Sequence, residues 1–262
     1  MSARFVRKIH HFDSLDSTNT KAREYIQEGA PAGTTIVATT QTAGRGRGDR
    51  KWLSPPGGLY FSTLLAPSKP TRAPELSILA GAAVAQAIRQ ILPNRLLVTL
   101  KWPNDVLVNG KKIAGILSES VGDETMGTCI VGVGINLNAT SEDLIPFLQN
   151  PFPATSLSVE VEGSTFSADQ VLDVTLTKLE ALYELYWEKG FDFIREIWNE
   201  NCRMIGKKVQ IENSGFLGHN DKAAKCQEGV FMGIDATGAM LVRSESGQDQ
   251  TFYSGEITCF WP

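Results

Sequence analysis

The alternation of apolar and polar positions changes period several times along the chain, and each change marks an element. Residues 4–12 read as a first strand. Asp16-Ser17-Thr18-Asn19 is a run of good N-cap residues, and the helix it opens passes through Ala22, Tyr25 and Ile26 to a stop at Gly29. Thr34 to Thr40 is β-branched and predicts a buried strand; Leu59 to Leu65 predicts another. From Pro74 a long helix is expected, because Leu76, Ala80, Ala83, Ala87 and Ile91 recur at three- and four-residue steps. Leu96 to Trp102 and Val106 to Val108 are strands around Pro103-Asn104-Asp105, and Asn109-Gly110 signals a type I′ hairpin. Lys112 to Glu119 and Thr128 to Leu137 follow as strands. Ser167 with Gln170 predicts a capping box for a helix reaching about Lys189, and Phe191 to Cys202 predicts one more helix.

After Met204 the pattern becomes short strands and turns: Val209 to Ile211, Gly229 to Ile234, Met240 to Arg243, Thr251 to Tyr253 and Ile257 to Phe260. Such a run predicts a small barrel with a core too small to stand alone, leaning on the main domain. The expected division is 1–204 and 205–262, in an α+β chain.

Composition narrows the function classes. The chain has 262 residues, 42% of them hydrophobic and 21% charged, with a formal net charge of -4. That is an ordinary soluble composition without the overall basic field of a nucleic-acid binder. Cys129, Cys202, Cys226 and Cys259 are far apart, so zinc and redox motifs are absent and reduced structural thiols are expected. No apolar signal-peptide core and no run of roughly 18 apolar residues is present. The expectation is a cytoplasmic protein that neither enters a membrane nor binds DNA.

Against this acidic background, Gly44-Arg45-Gly46-Arg47-Gly48-Asp49-Arg50-Lys51-Trp52 stands out. Glycines let backbone N–H groups approach a ligand, and arginines offer permanently charged forks for carboxylate and phosphate. Such a loop is expected to be loose when empty and ordered when it closes on an anion. Three further pieces accompany it: Ser17-Thr18-Asn19 at a helix start, Lys101-Trp102-Pro103-Asn104-Asp105 at a strand end, and Lys112-Ile113-Ala114-Gly115-Ile116 across the Asn109-Gly110 turn. Each has a purely structural reading: a helix cap, edge-strand lysines, turn formers, wall tryptophans. Together and in this order they point to a pocket in which two lysines and two arginines meet several negative charges.

These motifs, with Gln41-Thr42-Ala43 ahead of the loop and Gly132-Val133-Gly134-Ile135-Asn136 on a later strand, resemble the biotin–protein ligase family over nearly the whole chain. The resemblance implies a catalytic domain with a mixed β-sheet flanked by helices, the class II synthetase-like biotin–lipoate ligase fold, followed by an SH3-like β-barrel. It implies activation of biotin by ATP, with Mg2+ as counter-ion, to biotinyl-5′-AMP, then transfer to a lysine of a biotin carboxyl carrier protein such as that of acetyl-CoA carboxylase. No permanently bound cofactor is expected. By the same resemblance Arg47, Lys112 and Asp105 are the catalytic candidates. Ser17, Thr18, Asn19, Gln41, Gly44, Arg45, Gly46, Arg47, Lys112, Gly115, Gly132 and Gly134 are candidates for biotin. Arg45, Arg47, Arg50, Trp52, Lys101, Asn104, Lys112 and Asn136 are candidates for ATP or the adenylate. Asp105 is a metal- or lysine-positioning group, or a base for the acceptor lysine. Few residues precede Ser17, too few for a helix-turn-helix, so the resemblance is to the monofunctional class. Gly48-Asp49 stands where family loops often carry further Arg or Gly. A homodimer through the main sheet is a further expectation.

The nearest alternative is a lipoate or octanoate ligase of the same fold. A dehydrogenase is poorly supported, because Gly132-Val133-Gly134 lacks the third glycine of a dinucleotide fingerprint and no P-loop exists. A non-enzymatic RG-loop nucleic-acid binder would leave the two pocket lysines without a role.

Overall fold

The structure, a computed structural model, describes residues 5–66, 73–122, 128–212 and 226–260. The chain begins β1 (Lys8–Leu15), α1 (Thr18–Gln27), β2 (Thr34–Gln41), β3 (Gly58–Leu65) and α2 (Ala73–Ile91). It continues through β4 (Val98–Lys101), β5 (Asp105–Val108), β6 (Lys111–Val121) and β7 (Thr128–Asn136). Short helices α3 (Ser141–Leu144) and α4 (Leu157–Glu160) precede the long α5 (Ala168–Lys189) and α6 (Phe191–Glu200). The last part is β8 (Lys208–Glu212), β9 (Cys226–Ile234), β10 (Met240–Arg243), β11 (Asp249–Phe252) and β12 (Glu256–Phe260).

The first seven strands form one mixed sheet, ordered β1-β2-β3-β7-β6-β5-β4. The β1–β2 pair is parallel and every other pair is antiparallel. Side chains alternate across its two faces. Ile36, Leu64 and Ile130 meet Ala22 of α1 on one face, while Val37, Leu65 and Val131 join the larger core under α2 on the other. The expected stripe of α2 is buried from Leu76 to Ala87, but Ile78, Leu79, Val84, Ala85 and Ile88 are buried too. The helix is enclosed nearly all round, by the sheet on one side and α5 and α6 on the other, so its apolar face exceeds a simple stripe.

The remaining strands form a second antiparallel sheet, β11-β10-β9-β8-β12, with no ladder closing it into a barrel among the described residues. Its core residues Val209, Ile211, Phe231, Met240 and Ile257 merge with that of the larger domain, where Trp198 meets Phe231 edge-on with ring centroids 6.5 Å apart. The Trp102 indole donates to Gly238 O at 3.0 Å, a second tie between the sheets.

Two local expectations change. Ser167 accepts from Gln170 N at 3.4 Å, but the reciprocal half of a capping box is missing there; the complete box is Thr140 with Asp143, at α3. Strand β1 starts at Lys8 and runs to Leu15, later than the pattern predicted. The Asn109-Gly110 turn has both residues at positive φ, 50° and 79°, as a type I′ hairpin requires. Cys129, Cys202 and Cys259 form no disulfide among the described residues, and the side chain of Cys226 lies outside them.

Candidate active site

The end of β2, the middle of β6 and β7, the start of α1, the β4–β5 turn and the glycine-arginine loop surround one cavity. The loop folds back as a small hairpin: Gly46 N donates to Arg50 O at 2.7 Å, Trp52 N to Gly44 O at 2.9 Å, and Arg45 bridges Lys51. Of the candidates, Ser17, Thr18, Asn19, Gln41, Arg45, Gly46, Arg47, Arg50, Trp52, Asn104, Asp105, Lys112, Gly115, Gly132 and Gly134 all line this cavity. Gly44, Lys101 and Asn136 are not among its lining residues.

Ser17 stands at the N-cap of α1, but its hydroxyl makes no capping bond. The orphan N–H of Thr18 is instead satisfied by the Gln41 carboxamide, reaching from β2 at 2.8 Å. Gln41 is oriented in turn by donating to Ser54 Oγ at 2.7 Å. Ser62 Oγ lies within hydrogen-bond distance of both Thr18 Oγ1, at 2.7 Å, and Asn19 Oδ1, at 2.6 Å. The helix start is thus held by side chains from two strands, which leaves the Ser17 hydroxyl uncommitted to the cap.

The glycines make room for side chains above the sheet. A Cβ on Gly132 would lie 2.2 Å from Asn19 Oδ1, and one on Gly134 would lie 2.4 Å from Trp52 Nε1. A Cβ on Gly115 would lie 2.9 Å from the same indole. Trp52 therefore rests flat on the sheet where no side chain can stand, with the Lys112 amine 5.5 Å from its ring centre.

The charges are organised around Asp105, which is 4% exposed. Lys112 Nζ lies 2.6 Å from its Oδ1 and Lys101 Nζ lies 3.1 Å from its Oδ2. Burial alone would raise the carboxyl pKa, but the two ammonium groups more than offset this and hold it down to about 2. Lys101 is 1% exposed, faces Glu256 at 3.3 Å and sits 4.6 Å from the Phe152 ring centre. It is a buried brace for Asp105 and is not among the residues lining the cavity where it was expected to meet nucleotide. Asn104 spends its amide on Ile116 O at 2.7 Å. Asn136 donates to Thr155 O at 2.9 Å and so anchors a segment whose Pro153 O accepts from Lys112 N.

Two carboxylates escaped the sequence reading. Glu256, at the start of β12, pairs with Arg50 of the loop and with Lys101. Glu119, on β6, pairs with Arg45 at 2.8 Å. Neither lies in a local motif; only the fold brings them to the loop. Arg47 has no carboxylate partner among the described residues. Its guanidinium donates to Gly255 O at 3.4 Å and lies 5.9 Å from the Trp102 ring centre. Burial lowers its pKa, yet a guanidinium keeps its proton in proteins. It is a desolvated cation open to an anion.

Comparison with known proteins places this arrangement. Residues 11–136 match the Biotin/lipoate A/B protein ligase family, and residues 222–258 match the Biotin protein ligase C terminal domain. The chain is 36% identical to the Bifunctional ligase/repressor BirA of Bacillus subtilis over 254 residues, covering 95% of this chain and 73% of that one. It is 31% identical to the Biotin--[acetyl-CoA-carboxylase] ligase of Paracoccus denitrificans, over 92% of this chain and 98% of that one. The chain belongs to the biotin protein ligase family. A solved biotin protein ligase from Aquifex aeolicus, in complex with biotin and ATP, superposes with a TM-score of 0.75 at 30% identity, covering 96% of this chain and 97% of that one. The expected helix-flanked mixed sheet is that of these ligases, and the expected SH3-like barrel is met by a C-terminal antiparallel sheet matching their C-terminal domain.

Proposed function

We propose that this member of the biotin protein ligase family joins biotin to ATP, giving biotinyl-5′-AMP and pyrophosphate, and then passes the biotinyl group to a lysine of a biotin carboxyl carrier protein. The observation that carries the reading is that Arg47, without a carboxylate partner among the described residues, and Lys112, braced by Asp105, face one cavity beside Ser17, Thr18 and Gln41.

The first step brings a carboxylate to the α-phosphate of ATP. Two anions must approach, so cations fixed in advance at the developing charge supply the largest catalytic effect. Lys112 is fixed by Asp105 and its ring contact with Trp52, and Arg47 is fixed from the far side by Gly255. The neutral groups of Ser17, Thr18 and Gln41 suit the ureido and carboxyl ends of biotin and reject analogues that cannot pair with them. Trp52 over Gly115 and Gly134 supplies an apolar wall. Mg2+ enters this reading as the counter-ion of ATP.

In the second step the acceptor amine attacks the acyl carbon and AMP leaves. Asp105, with both oxygens on lysines and a pKa near 2, is a poor proton acceptor at neutral pH. We assign it to positioning Lys112, in preference to deprotonating the acceptor. The mixed anhydride must be shielded from water, and the loop over the cavity serves that end.

Residues 1–204 form the catalytic unit in this reading, and 205–262 complete it by supplying Glu256 and Gly255. Among the described residues no helix is long and apolar enough to cross a membrane. A cytoplasmic setting, a carrier domain of acetyl-CoA carboxylase as acceptor, and self-association through the main sheet belong to the same proposal.

Isotope exchange between pyrophosphate and ATP tests the reading. Exchange that requires biotin, with biotinyl-AMP retained on the purified chain by mass spectrometry, supports it. Exchange driven by lipoate and not by biotin overturns it in favour of a lipoate ligase.

A further inference from the structure

We propose that Glu119 is a positioning residue that fastens the loop to the floor of the cavity and thereby sets how long the acyl-adenylate is held. The inference rests on the ligase reading above. Glu119 does not line the cavity; it sits two residues beyond Leu117 on β6, with its side chain 18% exposed. Its Oε2 accepts from Asn19 Nδ2 at 2.8 Å and from Arg45 Nη1 at 3.3 Å. Its Oε1 pairs with Arg45 Nη2 at 2.8 Å and with Arg23 Nη2 at 3.9 Å. The contact with Arg45 is therefore bidentate, the geometry in which a guanidinium and a carboxylate hold each other most firmly.

The Asn19 contact makes this more than a surface ion pair. Asn19 is 3% exposed, its Oδ1 faces Ser62 Oγ at 2.6 Å, and Gly132 below it leaves room for the carboxamide, whose oxygen is the nearest atom. With Oδ1 on Ser62, its Nδ2 donates to Glu119 and, at 3.4 Å, to Leu117 O, so Glu119 keeps a partner on the floor side whether or not Arg45 is present. Lifting the first arm of the loop would strip Arg45 from a carboxylate that Asn19 holds at the floor. That charge, left with Arg23 at 3.9 Å, would then stand near a site that takes anionic substrates. Both effects favour the closed loop. Arg50 with Glu256 fastens the second arm to the other sheet, so the loop is tied at each end to a different domain.

The test uses the full chain loaded with biotinyl-AMP and chased with unlabelled biotin and ATP. E119Q keeps the size and one acceptor but removes the charge. Release of biotinyl-AMP is expected to be about fivefold faster, the scale of a partly exposed ion pair. The KM for biotin should rise, while kcat for pyrophosphate exchange stays within about twofold and the thermal midpoint is little changed. R45Q should accelerate release comparably, and the R45Q/E119Q double variant should be no faster than the quicker single one, because both remove one interaction. An E119Q chain that holds the adenylate as long as the parent overturns the latch, as do single effects that multiply. If E119Q does not fold, E119D, which keeps the charge but shortens the reach to Arg45, takes its place, with unchanged release as the overturning result. A parent chain that forms no biotinyl-AMP overturns the ligase reading and the latch with it.

Discussion

The amine of Lys101 lies 3.1 Å from Oδ2 of Asp105, with both side chains nearly excluded from solvent. The β4–β5 register places the two residues opposite one another, and the other carboxylate oxygen goes to Lys112. Removing one member of a buried ion pair leaves an uncompensated charge and costs about 3–5 kcal/mol. Asp105→Asn should therefore lower the free energy of unfolding by about 3 kcal/mol, the lower end of that range, because Glu256 still faces Lys101. Urea unfolding measures it. A fully stable D105N chain that loses only the transfer step would mean that Asp105 acts on the acceptor lysine after all.

The same carboxylate gives the chain an acid limit. Its folded pKa of about 2 lies below the ordinary 3.8, so the folded state binds fewer protons there than the unfolded one. The stabilisation is complete above about pH 4 and is lost as the pH falls towards the folded value, on the order of 2 kcal/mol in all. Denaturant titrations at pH 5, 4 and 3 should show that loss in the parent and a shallower one in D105N. Identical slopes in the two chains would remove Asp105 from the account.

Steric reasoning gives a sharper prediction at the floor. A Cβ on Gly134 would lie 2.4 Å from Trp52 Nε1 and 2.5 Å from Cε2, so Gly134→Ala must move the indole. Overpacking of this kind costs about 1–3 kcal/mol. Moving Trp52 also removes the wall beside Lys112, so biotin-dependent exchange should fall with stability. Tryptophan emission should change with the displaced ring, and a G134A chain with parental emission and activity would contradict the flat seating of Trp52.

Much of this was legible in the chain itself. β-branched runs, the alanine-rich stripe of α2 and the Asn109-Gly110 turn each carry their own local physics, and the elements fell where those signals put them. The motifs also named most of the side chains that the cavity gathers. What stayed hidden depends on long-range placement. Lys101 looked like a ligand because it is charged and adjacent to other motif residues; its burial follows from the β4–β5 turn and from β12 packing over it. Glu119 and Glu256 sit on strands with nothing in the local sequence to distinguish them from other glutamates. Ser17 looked like a cap, and only the arrival of Gln41 from β2 relieves it of that duty.

Glu256 links the loop to the catalytic charges, through Arg50 on one side and Lys101 on the other. The two cations hold its pKa down against the opposing effect of burial, so it is ionised at neutral pH. Glu256→Gln should loosen the second arm of the loop and lower kcat/KM for ATP by about tenfold, ~1.4 kcal/mol of transition-state stabilisation. The KM for biotin should change less, because the groups suited to biotin lie at the α1 end of the cavity. An E256Q chain with parental ATP kinetics would show that the C-terminal sheet only buttresses the fold.

Arg47 is the guanidinium of the loop that has no carboxylate partner among the described residues, while Arg45 and Arg50 each have one. In the proposed reading that difference gives the three arginines different work: two fasten the loop, and the third meets the ligand. Arg47→Gly removes the charge and the contact with Gly255 while leaving both fastenings intact. The adenylate should still form, because Lys112 and Asp105 are untouched, but it should escape before the acceptor arrives and acylate unrelated lysines. A bystander protein added to the reaction, digested and scored for biotinylated peptides, should be labelled at least about tenfold more than with the parent chain, the change expected from losing one charge-assisted contact. A variant that retains its intermediate as tightly as the parent would place the ligand's charge elsewhere in the cavity.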